Sequence, residues 1–149
     1  MNMMLKEAFS MDKKFKILKI DHIAVAVNSL KEYKNIFALL GMNIGHTESV
    51  SSENVNVLKI YPKSLDHTIE LLEPTDKKSS VQTFLNKRNQ GLHHIALEVD
   101  NIYNAIEYLE SNNIKVIYST PQKGADNKLI TFIHPSCTPG VLIELCQLA

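Results

Sequence analysis

The segment DHIAVAV, from Asp21 to Val27, recurs in the second half of the chain as HHIALEV, from His93 to Val99, with four of the seven residues identical. The agreement does not stop at the strand. Glu70 near the end of the first copy corresponds to Glu144 near the end of the second, after two one-residue insertions. Because the match reaches both ends of the repeated unit, it predicts a fold built from two equivalent modules.

Each copy has the pattern of a strand followed by a helix and further strands. In the first copy a strand at Lys19–Val27 precedes a helix that Ser29 caps and Gly41 ends. Apolar, β-branched runs follow at Val55–Tyr61 and Thr68–Leu72. The second copy repeats this with a helix and then strands at Lys115–Ser119, Leu129–His134 and Val141–Gln147.

These elements predict an α+β fold of two tandem βαβββ modules. Residues 1–15 are expected to be a poorly ordered N-terminal extension, and residues 16–149 a single domain. Within that domain, module one covers about 16–75 and module two about 91–148. A linker helix is predicted at about 79–90, where apolar residues fall at helical spacing.

Composition excludes several classes of function. Sixteen basic residues balance sixteen acidic ones, and Arg88 is the only arginine, whereas nucleic-acid binding depends on positive charge and arginine. No apolar run is long enough to cross a bilayer. Cys137 and Cys146 offer neither a disulfide framework nor a zinc-ribbon spacing. We therefore expect no nucleic-acid or membrane partner, and a cytoplasmic location, or the mitochondrial matrix in a eukaryote.

Alternation along the strands separates an apolar face from a face that carries histidine and glutamate. Ile23, Val25 and Val27 are predicted to pack under the first helix. The opposite face of the two copies carries four possible metal ligands, which are His22, Glu70, His94 and Glu144. If the modules meet about a pseudo-twofold axis, these two imidazoles and two carboxylates converge, and they suit a divalent metal ion with open positions.

The other four histidines lack equivalent partners in the second copy. His46, His67 and His134 are predicted to be structural or surface residues. His93 is assigned the same role, because alternation points it to the face opposite His94.

Four segments resemble the methylmalonyl-CoA epimerases of the vicinal oxygen chelate superfamily, whose fold is a glyoxalase-like cupped sheet. They are KIDHIAVAV, ELLEP, GLHHIALEVDNI and FIHPSCTPGVLIEL. The resemblance extends from Lys16 to the C-terminus. It implies an acyl-CoA substrate, inversion of the carbon next to the thioester carbonyl, and a homodimer. It implies one divalent metal ion, foremost cobalt, with manganese, nickel, zinc or magnesium as alternatives, and it makes Glu144 both a metal ligand and a catalytic base.

The second base of that family is not evident in this chain. Bacterial members carry a glutamate in the strand that here reads NVNVLKIYP, and our alignment places Leu58 at that position. Glu53 and Glu98 are possible substitutes, and a one-base or water-assisted return of the proton stays open. Lys123 and Lys128 lie in a loop that can contact the phosphates of CoA.

Three other functions are compatible with parts of this pattern. A glyoxalase I-type lactoylglutathione lyase uses the same ligand set and also moves a proton across an enediolate. A metal-free small-molecule-binding module of the same superfamily needs no ligand set. A ring-opening dioxygenase requires a site of two histidines and one carboxylate, and the fourth ligand Glu70 argues against it.

Overall fold

The computed structural model describes residues 12–64 and 66–149 of the chain. Its helices and strands are β1 (Ile17–Ala26), α1 (Leu30–Leu39), β2 (Asn43–Val50), β3 (Val55–Tyr61), β4 (Thr68–Pro74), α2 (Ser80–Arg88), β5 (Gly91–Val99), α3 (Ile102–Ser111), β6 (Gln122–Lys123), β7 (Lys128–Ile133) and β8 (Leu142–Leu148). Short 3-10 turns lie at Ser51–Glu53, Ala125–Asn127 and Pro135–Cys137.

The eight strands form one mixed sheet in the order β2-β3-β4-β1-β5-β8-β7-β6. At its centre β1 and β5 pair in antiparallel fashion. Each of these strands has the last strand of its own module as a parallel neighbour, β4 beside β1 and β8 beside β5. The two halves of the sheet are therefore equivalent, and the predicted duplicated α+β fold is confirmed.

The helices begin and end where the sequence signals predict. Ser29 caps α1 by accepting a hydrogen bond from the backbone N–H of Glu32, and Asn101 caps α3 in the same way. Gly41 follows α1 with a φ of +81°, a left-handed conformation that glycine adopts without steric cost. Among the described residues, no helix combines the length and apolar character needed to cross a bilayer.

Three strands differ from the sequence prediction. One is the two-residue strand β6, which was not predicted. β2 was not identified as a strand, because its segment NIGHTESV is mostly exposed and lacks apolar alternation. The strand predicted at Lys115–Ser119 is reduced to a single bridge between Val116 and Ile133. Beyond that bridge, the Thr131 hydroxyl bonds both the N–H and the C=O of Tyr118, so a side chain takes the place of the backbone ladder.

The apolar face of β1 is only partly covered. Val25 and Val27 pack against Leu30 of α1, as predicted. Ile23 is 42% exposed, so its predicted position under the helix was wrong. It lies opposite Ile95 at the centre of the sheet, and neither residue belongs to the core cluster under α1 or to the one under α3.

The folded unit begins upstream of Lys16. Phe15 packs its ring edge-on against Tyr108, with ring centroids 5.7 Å apart. It joins the core cluster that α3 forms with the second module. The remainder of the predicted extension, residues 1–11, lies outside the described residues.

The core under α3 gives a direct stability prediction. Ile102 at the start of α3 is fully buried, so Ile102→Ala should lower the free energy of unfolding by about 2–5 kcal/mol, because the cavity it leaves cannot fully collapse. The neighbouring Tyr103 is exposed, and Tyr103→Ala should change the same quantity by less than about 0.5 kcal/mol. Urea titration of both variants measures the difference, and equal losses would contradict this account of the core.

Candidate active site

The sheet register brings the four predicted ligands to one place. Ala24 of β1 lies opposite His94 on β5 and opposite Glu70 on β4. Ala96 of β5 has the equivalent place, between His22 on β1 and Glu144 on β8. Both alanines are fully buried, and their small side chains leave room above the sheet for the larger groups on either side.

The four side chains converge at short distances. The Nε2 atoms of His22 and His94 are 3.1 Å apart. Each imidazole also meets the glutamate of its own module, with 3.2 Å from His22 Nε2 to Glu70 Oε2 and 3.0 Å from His94 Nε2 to Glu144 Oε2. None of the four residues is more than 5% exposed.

This donor set fits a divalent metal ion. His22 Nδ1 lies 2.8 Å from Asp21 Oδ2, so the neutral tautomer that donates through Nδ1 would have its lone pair on Nε2. Among the described residues, ligand atoms of His22, His94 and Glu144 all lie within 4.8 Å of one another, and Glu70 adds a further carboxylate beside them. Imidazole nitrogens and carboxylate oxygens directed at one point are the ligands that divalent transition metals and zinc take in proteins. Their role as ligands stays a prediction.

A buried ion pair orients the first histidine. Asp21 precedes His22 but also points inward, because β1 is irregular between Ile20 and His22. Its carboxylate bonds His22 and, at 2.7 Å, the ammonium of Lys128 from the other module. Burial would raise the pKa of Asp21, but hydrogen bonds from His22 and Lys128 hold it far below its ordinary value. Asp21 was not predicted as a site residue, although it directly precedes the site histidine His22 in the sequence.

A second lysine links the modules beside Glu70. Lys59 of β3 is buried and places its Nζ 3.7 Å from Glu70 Oε1. The same ammonium pairs with Asp126, which lies in the turn before β7 of the second module. Lys59 and Asp126 were not predicted as site residues, because charged side chains are usually solvated.

Glu144 is suited to accept a proton. Burial alone would raise the pKa of its carboxyl, but the charge and hydrogen bond of His94, together with His22, lower it below the ordinary value. The group is therefore a carboxylate at neutral pH, and it adjoins the predicted metal position.

Glu53 is a second carboxyl group at the site. It lines the same cavity as Glu144, and Tyr118 donates a hydrogen bond to its Oε1 at 3.0 Å. Burial, with the nearby charge of Glu144, raises the pKa of Glu53. Burial and the neighbouring Glu53 raise the pKa of Tyr118 to about 12, so its hydroxyl stays a donor.

The position that the alignment gives to the second base does not face the cavity. Leu58 is buried in the cluster under α1, on the face of β3 away from the cavity. A residue at this position cannot reach the site. Glu53 reaches it from the turn before β3, where strand alternation does not apply.

The remaining charged or reactive candidates lie apart from the site. Glu98 pairs with Lys19 at 3.6 Å and does not line the cavity. Lys123 is exposed and does not line the cavity either. Cys146 packs with Ile130 in a core cluster, and burial raises the pKa of its thiol.

His93 lies on the cavity side, so its predicted position on the opposite face was wrong. The pairing of β1 with β5 shifts register next to His94, and this turns His93 inward. Its ring centroid is 5.2 Å from that of His94. Burial, together with His94, lowers the pKa of His93 to about 4, so the ring is neutral at physiological pH. His46, His67 and His134 do not line the cavity.

The cavity above this site has a volume of about 480 Å³ and is lined by both modules and α2. This volume is typical of small-molecule sites. Apolar side chains form most of its wall, among them Val57, Leu72, Phe84, Ile130 and Phe132. Lys87 and Arg88, at the end of α2, add positive charge to the lining.

Comparison with known proteins places this architecture in a family. Residues 21–132 match the Glyoxalase/Bleomycin resistance protein/Dioxygenase superfamily. The chain belongs to this superfamily. Within the superfamily it is similar to the mitochondrial methylmalonyl-CoA epimerase of Dictyostelium discoideum, with 38% identity over 137 residues, which are 89% of this chain and 80% of that protein.

Two further epimerases show the same relationship. An ethylmalonyl-CoA/methylmalonyl-CoA epimerase of Cereibacter sphaeroides is 35% identical over 136 residues, covering 87% of this chain and 97% of that protein. A Streptomyces coelicolor methylmalonyl-CoA epimerase variant, solved with 2-nitronate-propionyl-CoA, superposes with a TM-score of 0.83. It is 29% identical and covers 90% of this chain and 99% of that one. The predicted resemblance to the epimerases is confirmed.

Proposed function

We propose that the protein is a methylmalonyl-CoA epimerase, an isomerase that interconverts (2R)- and (2S)-methylmalonyl-CoA through an enolate. The observation that carries this proposal is the convergence of Glu144 with His22, His94 and Glu70 at the base of one apolar cavity. The similarity to epimerases over most of the chain supports the same reaction.

The difficult step is removal of the weakly acidic proton next to the thioester carbonyl. Glu144 is a buried carboxylate, and it takes this proton. His22, Glu70, His94 and Glu144 would hold a divalent ion, which would supply Lewis acidity to stabilise the negative charge of the enolate oxygen. The carboxylate of Glu144 is almost fully buried, so bulk water has little access to it.

Inversion requires that a proton return from the other side of the planar enolate. We assign this step to Glu53, which lines the same cavity as Glu144. Its raised pKa favours the protonated acid that donates. Tyr118 fixes Oε1 and leaves the other carboxyl oxygen of Glu53 for the transfer. In the reverse direction the two glutamates exchange roles.

The proposal also includes the metal ion, the residues that contact CoA, the oligomeric state and the cellular location. Cobalt is the metal ion we propose, with manganese, nickel, zinc and magnesium compatible with the same ligands. The acyl group enters the apolar cavity, and Lys87 and Arg88 of its lining are placed to meet CoA phosphates. The protein acts as a homodimer in the cytoplasm, or in the mitochondrial matrix of a eukaryote.

Proton exchange measured in deuterated water tests this function. The cobalt-loaded protein should incorporate deuterium next to the thioester of (2R)- and (2S)-methylmalonyl-CoA and bring both to the same mixture of epimers. The glutathione adduct of methylglyoxal, tested in parallel, should not react. Turnover of that adduct alone would establish the lyase instead. A purified protein that neither contains nor takes up a divalent metal, and shows no exchange, would favour the binding module.

Glu53→Gln separates a two-base from a one-base reaction. The amide cannot transfer the proton, so epimerisation should fall by about 10²–10⁴. One epimer, the one from which Glu144 removes the proton, should still exchange with deuterium and retain its configuration. Chiral analysis of the exchanged thioester measures both effects.

The matched control for this variant is Glu98→Gln. Glu98 pairs with Lys19 outside the cavity, so epimerisation should stay within about twofold of the unmodified protein, in line with the small effects of surface substitutions. Epimerisation by Glu53→Gln at the rate of this control would show that Glu53 is not the second base.

A further inference from the structure

The two site histidines are held by the residues that directly precede them. His22 Nδ1 contacts Asp21 Oδ2 at 2.8 Å, and His94 Nδ1 contacts His93 Nδ1 at 2.9 Å. In both modules the residue before the site histidine contacts its Nδ1, but this residue is an aspartate in the first module and a histidine in the second. Asp21 is fully engaged, because it also binds the ammonium of Lys128. The other ring nitrogen of His93, Nε2, takes no part in this contact.

The contact between His93 and His94 fixes where the protons lie. His94 directs Nε2 toward Glu144 and His22, the position of a metal ligand. Its remaining proton is then on Nδ1, which donates to His93 Nδ1, as ligating histidines commonly donate their other N–H to a neighbour. A neutral imidazole has one N–H, so His93 carries its proton on Nε2.

This Nε2–H is open to the cavity. Within the described part of the chain, His93 forms no other hydrogen bond, and no buried side-chain nitrogen or oxygen lacks a partner. Since Nε2 has no partner, it is accessible to solvent, and the ring lines the cavity. Phe84 of α2 holds the ring edge-on, with centroids 5.0 Å apart.

We propose that His93 is a substrate-binding residue whose Nε2–H donates a hydrogen bond to an oxygen of the acyl group, either the thioester carbonyl or the carboxylate. This inference rests on the proposed epimerase function. His93 thus joins the two parts of the site: its Nδ1 positions His94, and its Nε2 orients the substrate beside the metal ligands.

Two substitutions separate these roles. In His93→Asn the amide oxygen stands near the place of Nδ1 and accepts from His94, while the distal donor is lost. Cobalt affinity should stay within about threefold, and the KM for methylmalonyl-CoA should rise about 10–100-fold, the effect of one hydrogen bond to a charged or strongly polar group. In His93→Ala both partners are lost, and cobalt affinity should also fall about 10–100-fold.

Propionyl-CoA, which lacks the carboxylate, identifies the acceptor oxygen. A matching loss of propionyl-CoA affinity in His93→Asn assigns the hydrogen bond to the thioester carbonyl, and an unchanged affinity assigns it to the carboxylate. A KM for methylmalonyl-CoA that does not rise in His93→Asn would overturn the proposal.

The proton positions have a readout that does not depend on turnover. In the zinc-loaded protein, two-bond ¹H–¹⁵N correlation spectra should show His93 as the Nε2–H tautomer and His94 as the Nδ1–H tautomer. The reverse assignment for His93 would overturn the inference. Failure of the unmodified protein to exchange the methylmalonyl-CoA proton would instead contradict the proposed function, and the spectra distinguish the two failures.

Discussion

Replacing Glu144 by glutamine should abolish epimerisation while leaving the protein folded and able to bind a metal ion. The glutamine keeps a carbonyl oxygen in the position of a ligand, but it has no basic oxygen to take the proton. Loss of positioned proton transfer lowers rates by about 10²–10⁴, so kcat should fall by at least that range. Deuterium incorporation should be lost from the epimer whose proton Glu144 removes, whereas Glu53 should still exchange the proton of the other epimer with retention of configuration.

The matched control for Glu144→Gln is Glu70→Gln. Glu70 lies at the same site, 3.2 Å from His22 Nε2, but its Oε1 also lies 3.7 Å from the Lys59 ammonium, and it is assigned no proton transfer. Its substitution should lower kcat by less than about tenfold, since the amide oxygen still offers a ligand. Equal losses in the two variants would show that Glu144 acts only as a ligand.

Removing either site imidazole should eliminate tight metal binding. Outer partners of metal ligands contribute about 10–100-fold to affinity, and loss of a ligand itself should exceed that range. Cobalt titration of His22→Ala and His94→Ala by calorimetry should therefore show affinity reduced by more than about 10²-fold, with epimerisation lost in parallel.

The control histidine for this experiment is His67. It is exposed, and its Nδ1 contacts the carbonyl of Ile20 at 2.7 Å, away from the cavity. His67→Ala should leave cobalt affinity unchanged within about twofold, as expected of a surface substitution. Unchanged affinity in His22→Ala would remove that residue from the ligand set.

Much of this site was predictable because strand alternation and the internal repeat constrain each other. When DHIAVAV and HHIALEV are aligned, the two site histidines occupy equivalent positions. Side-chain alternation along the last strand of each module then places Glu70 and Glu144 on the same face of the sheet as these histidines. Two equivalent halves must then present these groups about a common axis. The same reasoning correctly placed Val25 and Val27 in the core under the first helix.

The sequence prediction failed where the backbone departs from regular alternation. Irregular pairing in β1 and β5 turns Asp21 and His93 toward the same side of the sheet as the histidines that follow them. Regular strand alternation would place neighbouring residues on opposite faces, so it could not predict this. Glu53 reaches the cavity from a turn, so its direction depends on tertiary geometry. Lys59 was missed because its burial depends on Asp126 and Glu70, partners distant in the sequence.

Anomalous diffraction from crystals of the cobalt-loaded protein tests the central claim most directly. We predict one cobalt peak per chain, about 2.0–2.2 Å from the Nε2 atoms of both site histidines and from carboxylate oxygens of both site glutamates. The four residues are His22, His94, Glu70 and Glu144. A peak bound by the residues of one module alone, or no peak in the cavity, would contradict a metal site shared between the two halves of the sheet.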